Sequence, residues 1–322
     1  MNIAILDDEF DTVRTLDCFA RVAAHRITIW RDHTKDTDAL AARLADAEAI
    51  VMLRERTPIR AALIERLPKL KMLTLNGPYP HVDVDACTAH GVALCAGKPR
   101  PSSATAELTW GLALCALRQI PQQMASLQRG HWQCGLGRGL HGRTLGVWGY
   151  GRIGRQVANF GRAFGMRVMI WSRANGLAQA AADGFAAAPD RATLFAESDV
   201  LSLHVRLNAE TRGMVTAADL ARMKPTAVIV NTSRAELIEP GALVAALRAG
   251  RPGYAAVDVY EQEPVTDLAQ PLLNMPNVVC TPHLGYVERD QLERYYDDQF
   301  GRVLAYLAGA PVDVVNPQAL AQ

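Results

Sequence analysis

The 322-residue sequence has six cysteines, at positions 18, 87, 95, 115, 134 and 280, and none of them stands in a Cys-x-x-Cys pair or in metal-ligand spacing. That argues against a zinc or iron–sulfur site and against a disulfide scaffold, and reads as reduced thiols in a cytoplasmic protein without a metal. No apolar run reaches membrane-spanning length: the most apolar window, Leu108 to Leu117, stops at Arg118. The first residues, Met1-Asn2-Ile3-Ala4-Ile5-Leu6, turn acidic at Asp7, Asp8 and Glu9, which reads as a short strand and not a secretory leader. An excess of one charge is also missing. With a formal net charge of +1 and both signs interspersed, no basic stripe points to nucleic acid and no acidic tail to disorder. Internal repeats are absent. What remains is an ordinary soluble composition, 49% hydrophobic and 21% charged, in a chain long enough for roughly two domains.

Two periods alternate along the first hundred residues. Ile3–Leu6, Ile27–Trp30, Ala49–Leu53, Met72–Leu75 and Val92–Cys95 are short β-rich runs, and Thr12–Ala24, Thr37–Ala47 and Ile59–Leu67 carry apolar residues at helical spacing. Strands alternating with helices predict a parallel sheet covered on both faces, here a small flavodoxin-like one. Lys98-Pro99-Arg100-Pro101-Ser102-Ser103 breaks the pattern, with Ser102 or Ser103 as cap of a helix over Ala104–Arg118. A second helix is expected over Gln122–Arg129. The alternation then resumes, with strands expected at Arg167–Trp171, Val200–His204, Ala227–Asn231, Tyr254–Val259 and Val278–Thr281. Helices fit Arg152–Phe164, Ala217–Met223, Pro240–Ala249 and Val287–Leu307, and Ser233-Arg234-Ala235-Glu236 has capping-box spacing. The expectation is α/β, two doubly wound parallel-sheet domains: residues 102–284 a Rossmann domain, inserted into a smaller flavodoxin-like domain made of 1–101 with 285–322 returning to it.

The second domain is organised around Leu145-Gly146-Val147-Trp148-Gly149-Tyr150-Gly151-Arg152-Ile153-Gly154, an apolar strand running through Gly-x-Gly-x-x-Gly into a helical pattern. Gly149 permits the tight turn, Gly151 lets backbone approach a pyrophosphate, and Gly154 lets helix and strand pack closely. The helix start offers N–H groups and a positive dipole end to phosphates. Tyr150, Arg152 and Ile153 complete this candidate cofactor-binding stretch.

A dinucleotide site beside a second α/β domain suggests hydride transfer, which requires a substrate anchor, a stabiliser of charge on oxygen and a proton source. Arg234, Glu263 and His283 each follow a predicted strand, where ligands bind in open α/β sheets. Histidine exchanges protons near neutrality, a carboxylate favours its charged form, and a guanidinium forks onto a carboxylate. Taken singly, each also fits a hydrogen-bonded loop or a surface ion pair.

These stretches, together with Val230-Asn231-Thr232-Ser233-Arg234, Ala256-Val257-Asp258-Val259-Tyr260-Glu261-Gln262-Glu263-Pro264 and Thr281-Pro282-His283-Leu284-Gly285, strongly resemble the D-isomer-specific 2-hydroxyacid dehydrogenases. The resemblance implies a hydride passing between a nicotinamide cofactor and C2 of a small 2-oxo or 2-hydroxy acid. In that reading Arg234 binds the substrate carboxylate and oxygen, His283 is the acid/base paired with Glu263, and Asp258 meets the nicotinamide carboxamide. His204 and Thr232 fall on the cofactor, and Arg54, Asn76 and Gly77 on the substrate. A homodimer through the cofactor domain is implied as well, with the apolar helix Leu108–Leu117 either its surface or simply core.

Three departures matter. The family's Gly-x-Gly loop is replaced by Gly77-Pro78-Tyr79-Pro80, whose prolines remove two donors. His204-Val205-Arg206 stands for the more usual His-x-Pro. Near the position of the acidic residue that grips the ribose of NAD, about 20 residues past the fingerprint, stand Ser172 and Arg173. No carboxylate is there to repel a 2′-phosphate and Arg173 can pair with one, which favours NADP(H) while leaving NAD(H) open. A corepressor-like, cofactor-sensing protein with little turnover is the alternative from another class, and formate or phosphite oxidation a third reading.

Overall fold

The computed structural model describes residues 1–98 and 103–321, so Pro99 to Ser102 of the expected break lie outside it. The chain divides into two compact units, Met1–Pro101 with Arg289–Gln322, and Ser102–Glu288.

In the first unit, strands β1 (Asn2–Ile5), β2 (Arg26–Ile29), β3 (Ala49–Val51), β4 (Met72–Asn76) and β5 (Ala93–Gly97) form a parallel sheet in the order β2-β1-β3-β4-β5. This is the flavodoxin-like order. Every residue of β3 and β4 is buried, as continuous apolar runs in a two-faced parallel sheet require. Helix α1 (Thr37–Leu44) starts where Asp36 accepts the Ala39 N–H, and buries Leu40, Ala41 and Leu44. Two shorter helices, α2 (Ala61–Ile64) and α3 (Val84–Ala89), complete the crossovers.

The helix expected over Thr12–Ala24 is instead two 3-10 turns, Val13–Thr15 and Asp17–Arg21. The break falls at Leu16, whose backbone is extended (φ −86°, ψ 142°). Side chains from elsewhere hold each start: Asp8 accepts the Thr12 and Val13 N–H groups, and Glu293 those of Asp17 and Cys18. Apolar spacing alone could not reveal those competing acceptors.

In the second unit, helices α4 (Ala104–Arg118) and α5 (Ile120–Gln128) precede β6 (Thr144–Trp148), α6 (Arg152–Ala163) and β7 (Arg167–Trp171). There follow α7 (Ala174–Ala182), β8 (Ala186–Ala187), α8 (Arg191–Glu197), β9 (Val200–Leu203), α9 (Ala217–Arg222) and β10 (Val228–Asn231). Helix α10 (Ala242–Arg248), β11 (Tyr254–Val257) and β12 (Val278–Cys280) end the unit. The seven parallel strands run β12-β11-β10-β9-β6-β7-β8, a doubly wound sheet whose order reverses between β6 and β9.

Helix α4 buries Ala106, Trp110, Leu112, Ala113, Ala116 and Leu117 in the core around β6. Most of Leu108–Leu117 is therefore core, with Leu108, Leu114 and Cys115 partly buried against it. Ser103 stands at the start of α4 without capping a backbone N–H; its hydroxyl meets Glu107. Nor does Ser233 close a capping box. Its hydroxyl donates to Leu203 O, and only a 3-10 turn, Ala235–Leu237, follows. The last helix, α11 (Arg289–Leu307), belongs to the first unit.

Candidate active site

The three fingerprint glycines do different things. A Cβ on Gly149 (φ 97°) would lie 2.3 Å from His204 O, and one on Gly154 would lie 2.0 Å from Gly149 O. Both positions are closed by the protein's own backbone. A Cβ on Gly151 would meet nothing within 4 Å, and Gly151 is the N-cap of the 12-residue α6 with no side chain capping it. The helix start thus has unfilled space before uncapped N–H groups, the arrangement that receives a pyrophosphate. Arg152 is exposed beside it. Ile153 is partly buried against the core and Tyr150 is buried, its hydroxyl donating to Asp183.

At the end of β7, Ser172 Oγ accepts the Tyr150 N–H at 3.2 Å. It fits only because residue 176 is glycine, where a Cβ would come within 2.2 Å of that oxygen. Gly176 gave no recognisable signal in the sequence. Arg173 is exposed, in extended backbone ahead of α7, and has no ion-pair partner among the described residues. On the other side of the switch point, His204 Nε2 lies 2.8 Å from Ser202 Oγ while Nδ1 is buried without a partner among the described residues. Burial lowers its pKa to about 3, so the ring is neutral. Thr232 is buried with its hydroxyl 2.7 Å from that of Thr109; its side chain faces α4.

Glu263 and His283 come together. Nδ1 of His283 lies 2.5 Å from Oε2 of Glu263, and the side chains are 26% and 31% exposed, open enough for a ligand to reach. Burial pushes the Glu263 carboxyl up, but the hydrogen bond and charge of His283, the Tyr260 N–H and the Arg234 charge outweigh it and hold the carboxyl below its ordinary range. Arg234 follows β10 on an exposed turn, where its guanidinium donates to Ser233 O and Asn231 Nδ2 donates to Arg234 O. The Glu263 carboxylate thus lies beside the His283 ring and within the field of the Arg234 guanidinium.

Asp258 is fully buried. Its Oδ1 accepts from Thr281 Oγ1 (2.6 Å) and the Leu284 N–H (2.7 Å), and Oδ2 from the Gly285 N–H (2.8 Å). Burial pushes this carboxyl up against those three bonds. The side chain anchors the histidine loop.

In the first unit the expected donors are already engaged. Asn76 is 3% exposed, donates to Tyr295 O and accepts from Arg302. The Gly77 N–H donates to Gly97 O. Through these bonds both residues hold the edge of the sheet. Arg54, in left-handed backbone (φ 60°), has its N–H on the Tyr295 hydroxyl at 3.0 Å.

One electrostatic feature corrects the expectation of interspersed charge: residues 108–182 contain nine arginines and no acidic residue. Arg155, Arg143 and Arg167 pair with Asp183, Asp199 and Glu197, all beyond that stretch. Among the described residues Arg152 and Arg173, on either side of the fingerprint turn, have no such partner.

The profile of the D-isomer specific 2-hydroxyacid dehydrogenase NAD binding domain matches residues 110–285. D-3-phosphoglycerate dehydrogenase of Methanocaldococcus jannaschii is 39% identical over 251 residues, 77% of this chain and 47% of that protein, so the match spans about half the length of that relative. Glyoxylate reductase of Thermococcus litoralis is 32% identical over 92% of both chains. The crystal structure of a D-3-phosphoglycerate dehydrogenase-type oxidoreductase from Ralstonia solanacearum superposes with a TM-score of 0.95 at 49% identity, covering 100% of this chain and 98% of that one. The chain belongs to the D-isomer specific 2-hydroxyacid dehydrogenase family, as an oxidoreductase built around a nicotinamide-cofactor domain.

Proposed function

We propose that this protein reduces a small 2-oxo acid to its D-2-hydroxy acid, with His283 as proton donor, Glu263 as its partner and Arg234 as substrate anchor. The observation that carries the reading is the 2.5 Å contact between His283 Nδ1 and Glu263 Oε2 at the ends of neighbouring strands. With Nδ1 committed to the carboxylate, Nε2 is the nitrogen left to give a proton to the developing alkoxide. The ionised carboxylate stabilises the charged imidazole and fixes its orientation. The exposed Arg234 guanidinium presents two parallel N–H groups to the acid's carboxylate. The cofactor, when bound, supplies the hydride. Gly151 and Arg152 would hold its pyrophosphate and Arg173 a 2′-phosphate, so NADP(H) is the favoured form.

A second copy of the chain is the proposed partner. Large apolar side chains stand exposed on α5 and the segment after it: Met124 (57%), Leu127 (58%), Trp132 (76%) and Leu136 (93%). A monomer gains nothing by holding them in water, and self-association would cover them.

The test is a turnover screen with glyoxylate, hydroxypyruvate and phosphohydroxypyruvate, with NADH and NADPH, for wild type and His283→Asn. The variant should lose about 10²–10⁴ in kcat while keeping cofactor affinity. Tight cofactor binding with no turnover of any acid would sink the enzymatic reading and favour a cofactor-sensing protein.

A further inference from the structure

The histidine loop is an unfavourable piece of backbone. His283 has φ 54°, a left-handed conformation that a non-glycine residue keeps only where its surroundings over-determine it. Thr281 O accepts the His283 N–H at 3.0 Å across Pro282, an inverse γ-turn for which proline is pre-set. Asp258 ties down Thr281, Leu284 and Gly285. A further bond braces the start of the loop, and the mechanism above does not use it. The Tyr260 hydroxyl donates to the same Thr281 O at 3.1 Å.

Tyr260 also touches the other half of the proton pair. Its backbone N–H donates to Glu263 Oε1 at 2.9 Å, leaving Oε2 for His283. The ring is 8% exposed and packed in the apolar cluster with Leu272 and Val278, so it does not wander. A single rigid residue therefore references both partners, the carboxylate through its N–H and the strand end carrying the imidazole through its hydroxyl.

We propose that the Tyr260 hydroxyl is a positioning group for the His283–Glu263 pair, acting through the Thr281 carbonyl. The inference rests on the reading of that pair as the proton-transfer site. Removing the hydroxyl leaves Thr281 O with the His283 N–H and Asp258 with all three of its donors, so the loop keeps its fold and loses the brace on its entry. The imidazole then spends less time at Glu263. Glu263 loses part of the contact that holds its carboxyl low, and that carboxyl rises. Activity that needs the carboxylate is present above its folded pKa and lost as pH falls through it, so the acidic limb must move to higher pH.

The experiment compares wild type with Tyr260→Phe, using glyoxylate and NADPH or NADH. The expected result is a fall in kcat of about three- to tenfold, KM for acid and cofactor within about twofold of wild type, and an acidic limb displaced upward. In parallel, the far-downfield proton of the imidazole N–H at Glu263, identified by its loss in His283→Asn, should move upfield in Tyr260→Phe. Unchanged kcat, limb and resonance, with only a lower Tm, would overturn the proposal and leave Tyr260 a core residue. If wild type turns over none of the acids, the enzymatic reading fails separately. The resonance then still decides whether the hydroxyl holds the pair.

Discussion

Two alanine substitutions three residues apart in one glycine motif should fail in opposite ways. At Gly154 the added methyl would lie 2.0 Å from Gly149 O, and something in the β6–α6 junction must shift because the obstacle is backbone. Overpacking of this kind costs about 1–3 kcal/mol, which for a unit of this size lowers Tm by roughly 2–12 °C. At Gly151 the methyl meets nothing within 4 Å, and the backbone (φ −94°, ψ −161°) suits any residue. Two small effects oppose each other there. Alanine reduces unfolded-chain entropy, worth about 0.4–1 kcal/mol, but is a poorer N-cap than glycine by a similar amount. The net change in stability is about zero.

The methyl of Gly151→Ala stands in the space through which a pyrophosphate would approach the N–H groups of α6. Its loss should appear as at least a tenfold rise in Kd for NADPH or NADH, about 1.4 kcal/mol. Differential scanning fluorimetry without ligand and calorimetric titration of cofactor separate the two effects. Gly154→Ala should melt early and Gly151→Ala should melt like wild type yet bind poorly. Wild-type affinity in Gly151→Ala would refute the assignment of that space to a pyrophosphate. A Tm as low as that of Gly154→Ala would refute the claim that it is empty of protein.

Arg173→Ala should raise KM for NADPH about tenfold or more and leave that for NADH within about twofold, since only a 2′-phosphate needs the charge; equal effects on both cofactors would assign Arg173 to adenine or to solvent. Trp132→Glu should reduce the proposed dimer to a monomer in light scattering, because a charge in a desolvated contact is poorly tolerated; a wild-type mass of one chain would refute the dimer, and an unchanged dimer mass would move the interface away from the segment after α5.

The sequence is most legible where one local cause decides the structure. Helix α4 and strand β7 are expected and found at Ala104–Arg118 and Arg167–Trp171, and β6 (Thr144–Trp148) is found where the apolar run enters the glycine motif, since apolar runs bounded by clear breaks leave no competing arrangement. Not every short helix is legible in this way. Helices α3 and α8, of six and seven residues, are not among the expected ones, although Asp83 and Asp190 cap them by accepting the Ala86 and Thr193 N–H groups, whereas α9 and α10, equally short, are expected and found. The 3-10 turns near Asp17 depend on Glu293, which only the fold brings there. Glu263 and His283 could be picked out by type and by their position after strands, but the brace from Tyr260 depends on a main-chain carbonyl, which has no residue code.

Main-chain pairing also accounts for the Gly77–Pro80 loop, and it bears on how a substrate is anchored. A glycine there suggested free backbone donors, yet β4 and β5 remain paired as far as Asn76 and Gly97, and the Gly77 N–H continues that pairing to Gly97 O. Pro78 and Pro80 have no N–H to offer. Among the described residues only the Tyr79 N–H of this loop is not so engaged, and one neutral donor is a weak site for a carboxylate compared with a charged, bidentate one. In the proposed reading the principal anchoring role falls on a guanidinium. Arg234 has the exposure for it, and its charge also reaches Glu263. A carboxylate bound at Arg234 would partly neutralise that charge, weakening one of the forces that hold the Glu263 carboxyl low. In that reading substrate binding and the proton pair would be coupled through a single side chain.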